Sequence, residues 1–282
     1  MTHYLKLFTA LAVLSLSSLF CNAQNTGKET IFIDYFMKTP DIPIVFVKNI
    51  REQVIVGIQN RGRLMVLDGE RYPKLAPGPV SAYESVSDNI ANRENEIKKT
   101  GARFVLGGMV TDYRFDRKKN GNRQSFSSYM TVMIWGYDLK TNQKFDQQIY
   151  KISGYGATMD EADARAMGSI YSRMDYFVMD NFKFETNVIG LCNPTINDKK
   201  ERIYIAAGTA IGVRNTDQFD IYVEEIIGGS LVRSKVGRVT VREVNGPNVS
   251  ICTMKKKEAP IITNLLNHNK KLVAVSAGQS IF

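Results

Sequence analysis

One stretch predicts the architecture of the first domain and reads RFVLGGMVTDYRFD at residues 103–116, KKNGN at 118–122 and SFSSYMTVMIWGYDL at 125–139. Its first and third pieces are rich in β-branched and aromatic residues, and the third alternates regularly in polarity, which is typical of strands. The Asn120-Gly121 pair supplies the positive φ of a tight turn. Residues 144–153 return after a second polar turn. The sequence therefore predicts an antiparallel meander of three strands.

The segment before the meander alternates between strand and helix signals. Residues 31–36 are β-branched and aromatic and predict a first strand. Apolar residues then recur at four-residue steps from Phe46 to Ile58, which is one face of a helix, and Gly62 ends it. The remainder is predicted as a strand at 64–67, a proline-rich loop at 71–84 and a weaker helix at 87–99.

A further helix is predicted directly after the meander. Thr158 and Glu161 form a capping box, and apolar residues from 167 to 178 recur at helical spacing, so that one face can pack on the sheet. Asp160, Glu161 and Asp163 in the first turn allow two interpretations. They are either metal ligands or carboxylates that the helix dipole stabilises, and the dipole alone is enough to explain acidic residues at this position.

The last third of the chain has a different pattern of strand and turn signals. From residue 203 onward, short strands are separated by turn residues such as Gly228-Gly229 and Asn245-Gly246-Pro247. Many short strands with glycine turns indicate a small barrel or sandwich. The predicted fold class is therefore α+β, a mixed sheet with helices packed on it over residues 24–187, followed by a small all-β barrel or sandwich domain over 188–282.

The first 23 residues predict a secretory signal peptide. Lys6 lies near the start of an apolar run that ends at Phe20, and Ala23 offers a small residue for cleavage. The run is shorter than the roughly 20 apolar residues of a membrane span. Lipidation of Cys21, which would tether the protein to a membrane, is the alternative. We therefore expect export to the periplasm or to the periplasmic face of the outer membrane.

The charge and the cysteines are informative in an exported chain. The 282 residues carry 37 Lys and Arg against 28 Asp and Glu, a formal net charge of +9. This charge belongs either to an ordinary soluble basic protein or to one attracted to anionic envelope material. Nucleic acid is not an expected partner outside the cytoplasm. Cys192 and Cys252 remain after cleavage, and they form either a disulfide, which export permits, or two buried thiols.

Little in the sequence indicates catalysis. His268 is the one histidine after the predicted cleavage site, which is too few for a multi-histidine zinc site. There is no Walker A motif, and nothing singles out a catalytic pair of carboxylates. The run Lys255-Lys256-Lys257 is either a solvated turn or a contact for an anionic partner. We predict no enzyme activity, no catalytic residue, no cofactor and no metal.

The order strand, helix, strand, helix, three-stranded meander and helix resembles the CsgG-like family, whose fold is similar to the TolB N-terminal domain. The points of match are IFIDYF at 31–36, GRLMVLD at 62–68 and, most specifically, GARFVLGGMV at 101–110. The resemblance covers roughly residues 29–185. Residues 208–241 resemble, through their glycines and strands, the C-terminal β domain of the flagellar assembly protein FlgT.

This resemblance implies a cell-envelope protein that acts in assembly or secretion through protein–protein contacts. The partners would be envelope proteins, with homo-oligomers and contact with the outer membrane as further expectations. Two finer alternatives follow from the family: an oligomeric outer-membrane secretion channel component like CsgG, or a regulator of a cell-wall synthase. The sequence departs from the channel in its short, polar turn at 117–124.

Overall fold

The computed structural model describes residues 28–76, 86–120, 123–192 and 201–278. The predicted signal peptide and Cys21 lie outside these ranges. The described chain forms a mixed sheet with helices packed on it, followed by a closed barrel whose neighbouring strands are all antiparallel. The predicted α+β class is confirmed, and of the two alternatives for the last third the structure has the barrel.

The sheet domain is built on six strands in the order β2-β1-β3-β4-β5, with β6 also paired to β4. The strands are β1 (Thr30–Lys38), β2 (Met65–Asp68), β3 (Phe104–Asn120), β4 (Arg123–Asp138), β5 (Gln143–Lys144) and β6 (Gln148–Gly156). β1 is parallel to β2 and β3, whereas β4 is antiparallel to β3, β5 and β6. The predicted meander is therefore present as β3, β4 and β6.

Helices cover both faces of this sheet. α1 (Ile44–Arg61) and α3 (Met159–Asn181) share one apolar core with the sheet, and α2 (Val86–Lys99) lies over the other face, where Ile97 is fully buried. Gly62 ends α1 with a φ of 73°, as the sequence predicts. Within the described ranges, every helix is too short or too polar to cross a membrane.

The predicted capping box at the start of α3 is confirmed. The Glu161 backbone N–H donates to Oγ1 of Thr158 over 3.2 Å, and the Ala157 N–H donates to Oε2 of Glu161 over 2.8 Å. Thr158 therefore satisfies a backbone donor that the first turn leaves without a helical partner, and Glu161 bonds back to the residue before the N-cap. This fixes where α3 begins, directly after β6.

The β3–β4 hairpin is longer than the sequence predicted. We expected a turn over residues 117–124, but β3 continues to Asn120 and β4 begins at Arg123, with Arg117 paired to Phe126. The polar composition of residues 117–124 did not predict strands, because backbones can pair with each other whether or not the side chains are buried. The prediction of a short polar turn was therefore wrong, and the polar residues lie on an extended ribbon.

The barrel closes in the order β10-β11-β8-β7-β12-β9. Its strands are β7 (Glu185–Cys192), β8 (Arg202–Ile205), β9 (Gln218–Ile227), β10 (Ser230–Val244), β11 (Ser250–Met254) and β12 (Leu272–Ser276). The expected boundary between residues 187 and 188 falls inside β7. A helix that the sequence analysis missed, α4 (Ala259–Asn267), lies between β11 and β12 and buries Ile262 in the barrel core.

Candidate interaction surfaces

A buried ion pair joins the two domains. Arg61, the last residue of α1, donates through Nη2 to Oδ2 of Asp217 in the barrel domain, and the two side chains are only 2% and 4% exposed. Asp217 also accepts from the Arg214 backbone N–H over 3.0 Å, and Asp175 of α3 lies 3.5 Å from Nη1 of Arg61. Because an unpaired charge is costly at this depth, the pair holds the barrel against the end of α1.

Arg63 strengthens the same junction. Its Nη1 donates to the Phe182 carbonyl over 3.2 Å, and its guanidinium lies 4.8 Å from the centre of the Phe184 ring. Burial, together with repulsion from Arg61, lowers the pKa of Arg63 to about 10. The side chain still carries its charge at neutral pH. The charged groups of this junction have structural partners, which makes the outer surfaces the better candidates for a functional site.

The outer part of the β3–β4 hairpin forms an open sheet edge. We call residues 111–119 and 124–129 the β3–β4 ribbon. β1 pairs with β3 only as far as Val110, and within the described ranges no strand pairs with that edge of β3 beyond it. β6 covers the opposite side of the ribbon by pairing with β4 from Phe126 onward. Beyond Thr111, whose carbonyl accepts from the Thr39 hydroxyl over 3.4 Å, this edge of β3 has no strand partner among the described residues and offers backbone donors and acceptors.

Arginines stack on aromatic rings on both faces of the β3–β4 ribbon. The Arg114 guanidinium lies 5.0 Å from the centre of the Tyr129 ring, and that of Arg117 lies 6.0 Å from the Phe126 ring. Successive side chains of a strand point to opposite faces, so the two pairs lie on different faces. Phe115 is 51% exposed. Aromatic residues and arginine are the types enriched where proteins bind each other.

A cationic cleft of about 1120 Å³ lies on the barrel beside the start of α4. The charged residues that line it, among those that the structure describes, are Arg202, Arg242, Lys255 and Lys256 with the carboxylate of Glu201. Two lysines of the 255–257 run therefore belong to a concave surface. This position fits the second interpretation of the run, contact with an anionic partner.

No disulfide joins Cys192 and Cys252. Cys252 is fully buried in the barrel core, and burial raises the pKa of its thiol to about 12. Cys192 lies on β7 and forms a hydrogen bond with the phenol of Tyr204. β8 pairs with β7 on one side and with β11 on the other, so a whole strand separates the two cysteines.

Other residues that the sequence analysis considered have structural partners. Asp163 is buried and accepts hydrogen bonds from the Tyr113 phenol at 3.3 and 3.2 Å. Burial and this carboxylate raise the pKa of Tyr113 to about 12. His268 is exposed, with Nδ1 2.8 Å from the Asn264 carbonyl oxygen. Across the ranges that the structure describes, no three His, Cys, Asp or Glu side chains are grouped as metal ligands.

No protein-family model matches the sequence, and no curated protein matches it. Solved structures do match about half of the chain. The PelC dodecamer from Paraburkholderia phytofirmans is 12% identical, with a TM-score of 0.34 over 53% of this chain and 89% of PelC. A lipoprotein from Neisseria meningitidis is also 12% identical, with a TM-score of 0.35 over 53% of this chain and 97% of the other.

The LpoB C-terminal domain from Escherichia coli is a third such structure. It is 12% identical, with a TM-score of 0.30 over 49% of this chain and 93% of the LpoB domain. Likenesses this weak carry no argument about what the present chain does.

Proposed function

We propose that this chain is a non-catalytic protein of the cell envelope that acts in assembly or secretion through contacts with other proteins. The β3–β4 ribbon makes the contact. The observation that carries the proposal is the open edge of β3 beside exposed Phe115 and the stacked Arg114 and Arg117. An extended segment of a partner can add to such an edge as a further strand, and the side chains then select the partner.

The envelope location rests on the N-terminal sequence. Lys6, the apolar run to Phe20 and the small Ala23 have the order of a secretory signal. The same export places the ribbon among envelope proteins and away from nucleic acid. Lipidation at Cys21 would add a membrane tether without changing which surface meets the partner.

The charge of the β3–β4 ribbon defines the chemistry of the partner. The described side chains of residues 111–119 comprise four cations and two carboxylates, a net charge of +2: Arg114, Arg117, Lys118 and Lys119 against Asp112 and Asp116. A segment that bears carboxylates is therefore favoured. The same cations disfavour pairing with another copy of this edge.

Two finer functions fall within this proposal. A regulator of a cell-wall synthase would use the ribbon as described. A secretion channel similar to CsgG would place strands against lipid, which needs a continuous apolar face. The ribbon has Arg114 and Asp116 on one face and Arg117 and Lys119 on the other. Protein contact is therefore the better supported use of the ribbon.

Photo-crosslinking in cells tests the ribbon. Benzoylphenylalanine at position 115 should give a discrete cross-linked species after irradiation. The matched control is position 65 at the start of β2, which is level with the start of β3 and far along the strands from Phe115; Met65 is 52% exposed against 51% for Phe115. Equal products from both positions, or none from position 115, would contradict the proposal.

Charge reversal on the same protein tests the chemistry of the partner. Arg117→Glu with Lys118→Glu should lower the yield from position 115 at least about fivefold, since two exposed charges contribute about 0.5 kcal/mol each. Lys140→Glu, in the exposed turn after β4, should leave the yield unchanged. If Lys140→Glu lowered the cross-linking yield as much as Arg117→Glu with Lys118→Glu, the partner would be held by general charge attraction and not by a defined contact with the ribbon.

A further inference from the structure

The hairpin between β9 and β10 ends in an apolar tip. We call residues 226–232, IIGGSLV, the β9–β10 tip. Its aliphatic side chains are strongly exposed: Ile226 by 78%, Ile227 by 59%, Leu231 by 61% and Val232 by 38%. The turn is Gly228-Gly229, with φ of 58° and 80°, which two glycines adopt without strain. A group of exposed aliphatic residues without a charge among them marks an interaction site.

The apolar side chains lie on both faces of the β9–β10 tip. Leu231 is paired directly with Ile226, so these two share one face of the hairpin. Ile227 and Val232 are the next residues along each strand and therefore lie on the other face. A partner that meets one face would leave the other pair in water. A medium that encloses the tip covers all four side chains.

The tip extends beyond the barrel wall. β12 pairs with β9 only as far as Val223, and β11 pairs with β10 only from Val239 onward. The four steps from Val223 to Ile227 advance about 13 Å at the rise of a strand. The protruding part is thus long enough to enter the boundary between headgroups and acyl chains, which lies roughly 5–10 Å deep for interfacial segments.

A collar of paired charges lies below the tip. Lys271 is 2.6 Å from Glu224, Lys270 is 2.9 Å from Glu225, and Arg233 is 2.6 Å from a carboxylate oxygen of Glu185. These cations and carboxylates balance. Zwitterionic lipid headgroups carry the same two charges side by side, so the collar complements them without requiring an anionic membrane.

We propose that the β9–β10 tip inserts into the interfacial layer of a lipid bilayer, with its aliphatic side chains at the acyl boundary and the collar at the headgroups. Apolar burial drives the insertion. The charge balance of the collar makes binding nearly independent of salt and of lipid charge. This inference goes beyond the protein contact proposed above and does not depend on it, because the β3–β4 ribbon belongs to the other domain.

Flotation with vesicles tests the tip, using the protein purified as the cell exports it, with identical N-terminal processing confirmed by mass. The native protein should bind vesicles of phosphatidylcholine, and binding should change less than twofold when phosphatidylglycerol is added. Ile226→Ser with Leu231→Ser should weaken binding at least about tenfold, since both side chains lose apolar area that insertion buries. Ile44→Ser, an isoleucine of similar exposure (57%) on α1, should bind like the native protein.

An emission measurement gives an independent readout of insertion. Ile227→Trp should shift its fluorescence to the blue on addition of phosphatidylcholine vesicles, while the native protein, with Trp135 as its one tryptophan, should not. Native-like binding by the Ile226/Leu231 double variant would overturn the proposal. Binding confined to anionic vesicles would also overturn it and would point to the cationic cleft. Failure of the native protein to bind would overturn it too, and would indicate that the tip docks in a groove of another protein.

Discussion

The Arg61→Met variant should unfold with a free energy about 3–5 kcal/mol below that of the native protein, because it leaves the buried Asp217 carboxylate without its counter-ion. Asp217 is 4% exposed and, among the described residues, its carboxylate would keep the Arg214 backbone N–H as its one hydrogen-bond donor. Arg63 lies close enough to interact with the Asp217 charge and would offset part of the loss. Urea unfolding followed by circular dichroism measures the change.

The control for this variant is an ion pair at the surface. Arg71 is 83% exposed and lies 3.8 Å from Asp68, so Arg71→Met should change the unfolding free energy by less than about 0.5 kcal/mol. Adding Asp217→Leu to Arg61→Met should restore part of the lost stability, because no buried carboxylate is then left without its counter-ion, while buried Arg63 loses the attraction of the Asp217 charge. If Arg61→Met were as stable as Arg71→Met, the buried pair would not be what holds the barrel to the sheet domain.

Gly154→Ala should destabilise the sheet domain by about 3 kcal/mol, the upper part of the usual cost of overpacking. A Cβ at this position of β6 would stand 2.1 Å from the Ala162 carbonyl oxygen and 2.4 Å from the Ala166 nitrogen, both backbone atoms of α3. Backbone cannot move aside as a flexible side chain can, so the strand and the helix would have to separate. Thermal and urea unfolding both report this loss.

Gly168→Ala on the same helix is the matched substitution with the opposite sign. A Cβ there meets nothing within 4 Å, and the position is exposed in the interior of α3. Alanine should therefore stabilise the protein by about 0.5–1 kcal/mol through its higher helix propensity. Two glycine-to-alanine variants with the same sign and size would contradict the close packing of β6 on α3.

Local signals in the sequence were enough to predict several elements. Gly62 ended α1 and Thr158 began α3 where expected, since a left-handed glycine and a capping hydroxyl act within a few residues. The meander followed from the alternation of residues 125–139, whereas the predicted Asn120-Gly121 turn lies partly outside the described residues. Export, lipidation at Cys21 and the absence of catalysis stay predictions.

The features that matter most for function were harder to predict. Arg61 and Asp217 are 156 positions apart, and no local pattern brings them together. Residues 117–124 of the β3–β4 hairpin were predicted as a polar turn, because β3 and β4 pair with each other there without burying side chains. The sequence analysis missed α4 because turn-rich segments follow one another in this part of the chain. Pro260 in the first turn of the helix was nevertheless a usable signal.

Envelope fractionation followed by light scattering tests whether this exported protein is a small, discrete particle that acts through contacts with other proteins. We expect the exported protein in the envelope fractions, released by a high-pH carbonate wash without detergent unless Cys21 is lipidated, and of monomer or dimer size. A large ring that stays in the membrane until detergent is added would contradict this account and favour a channel.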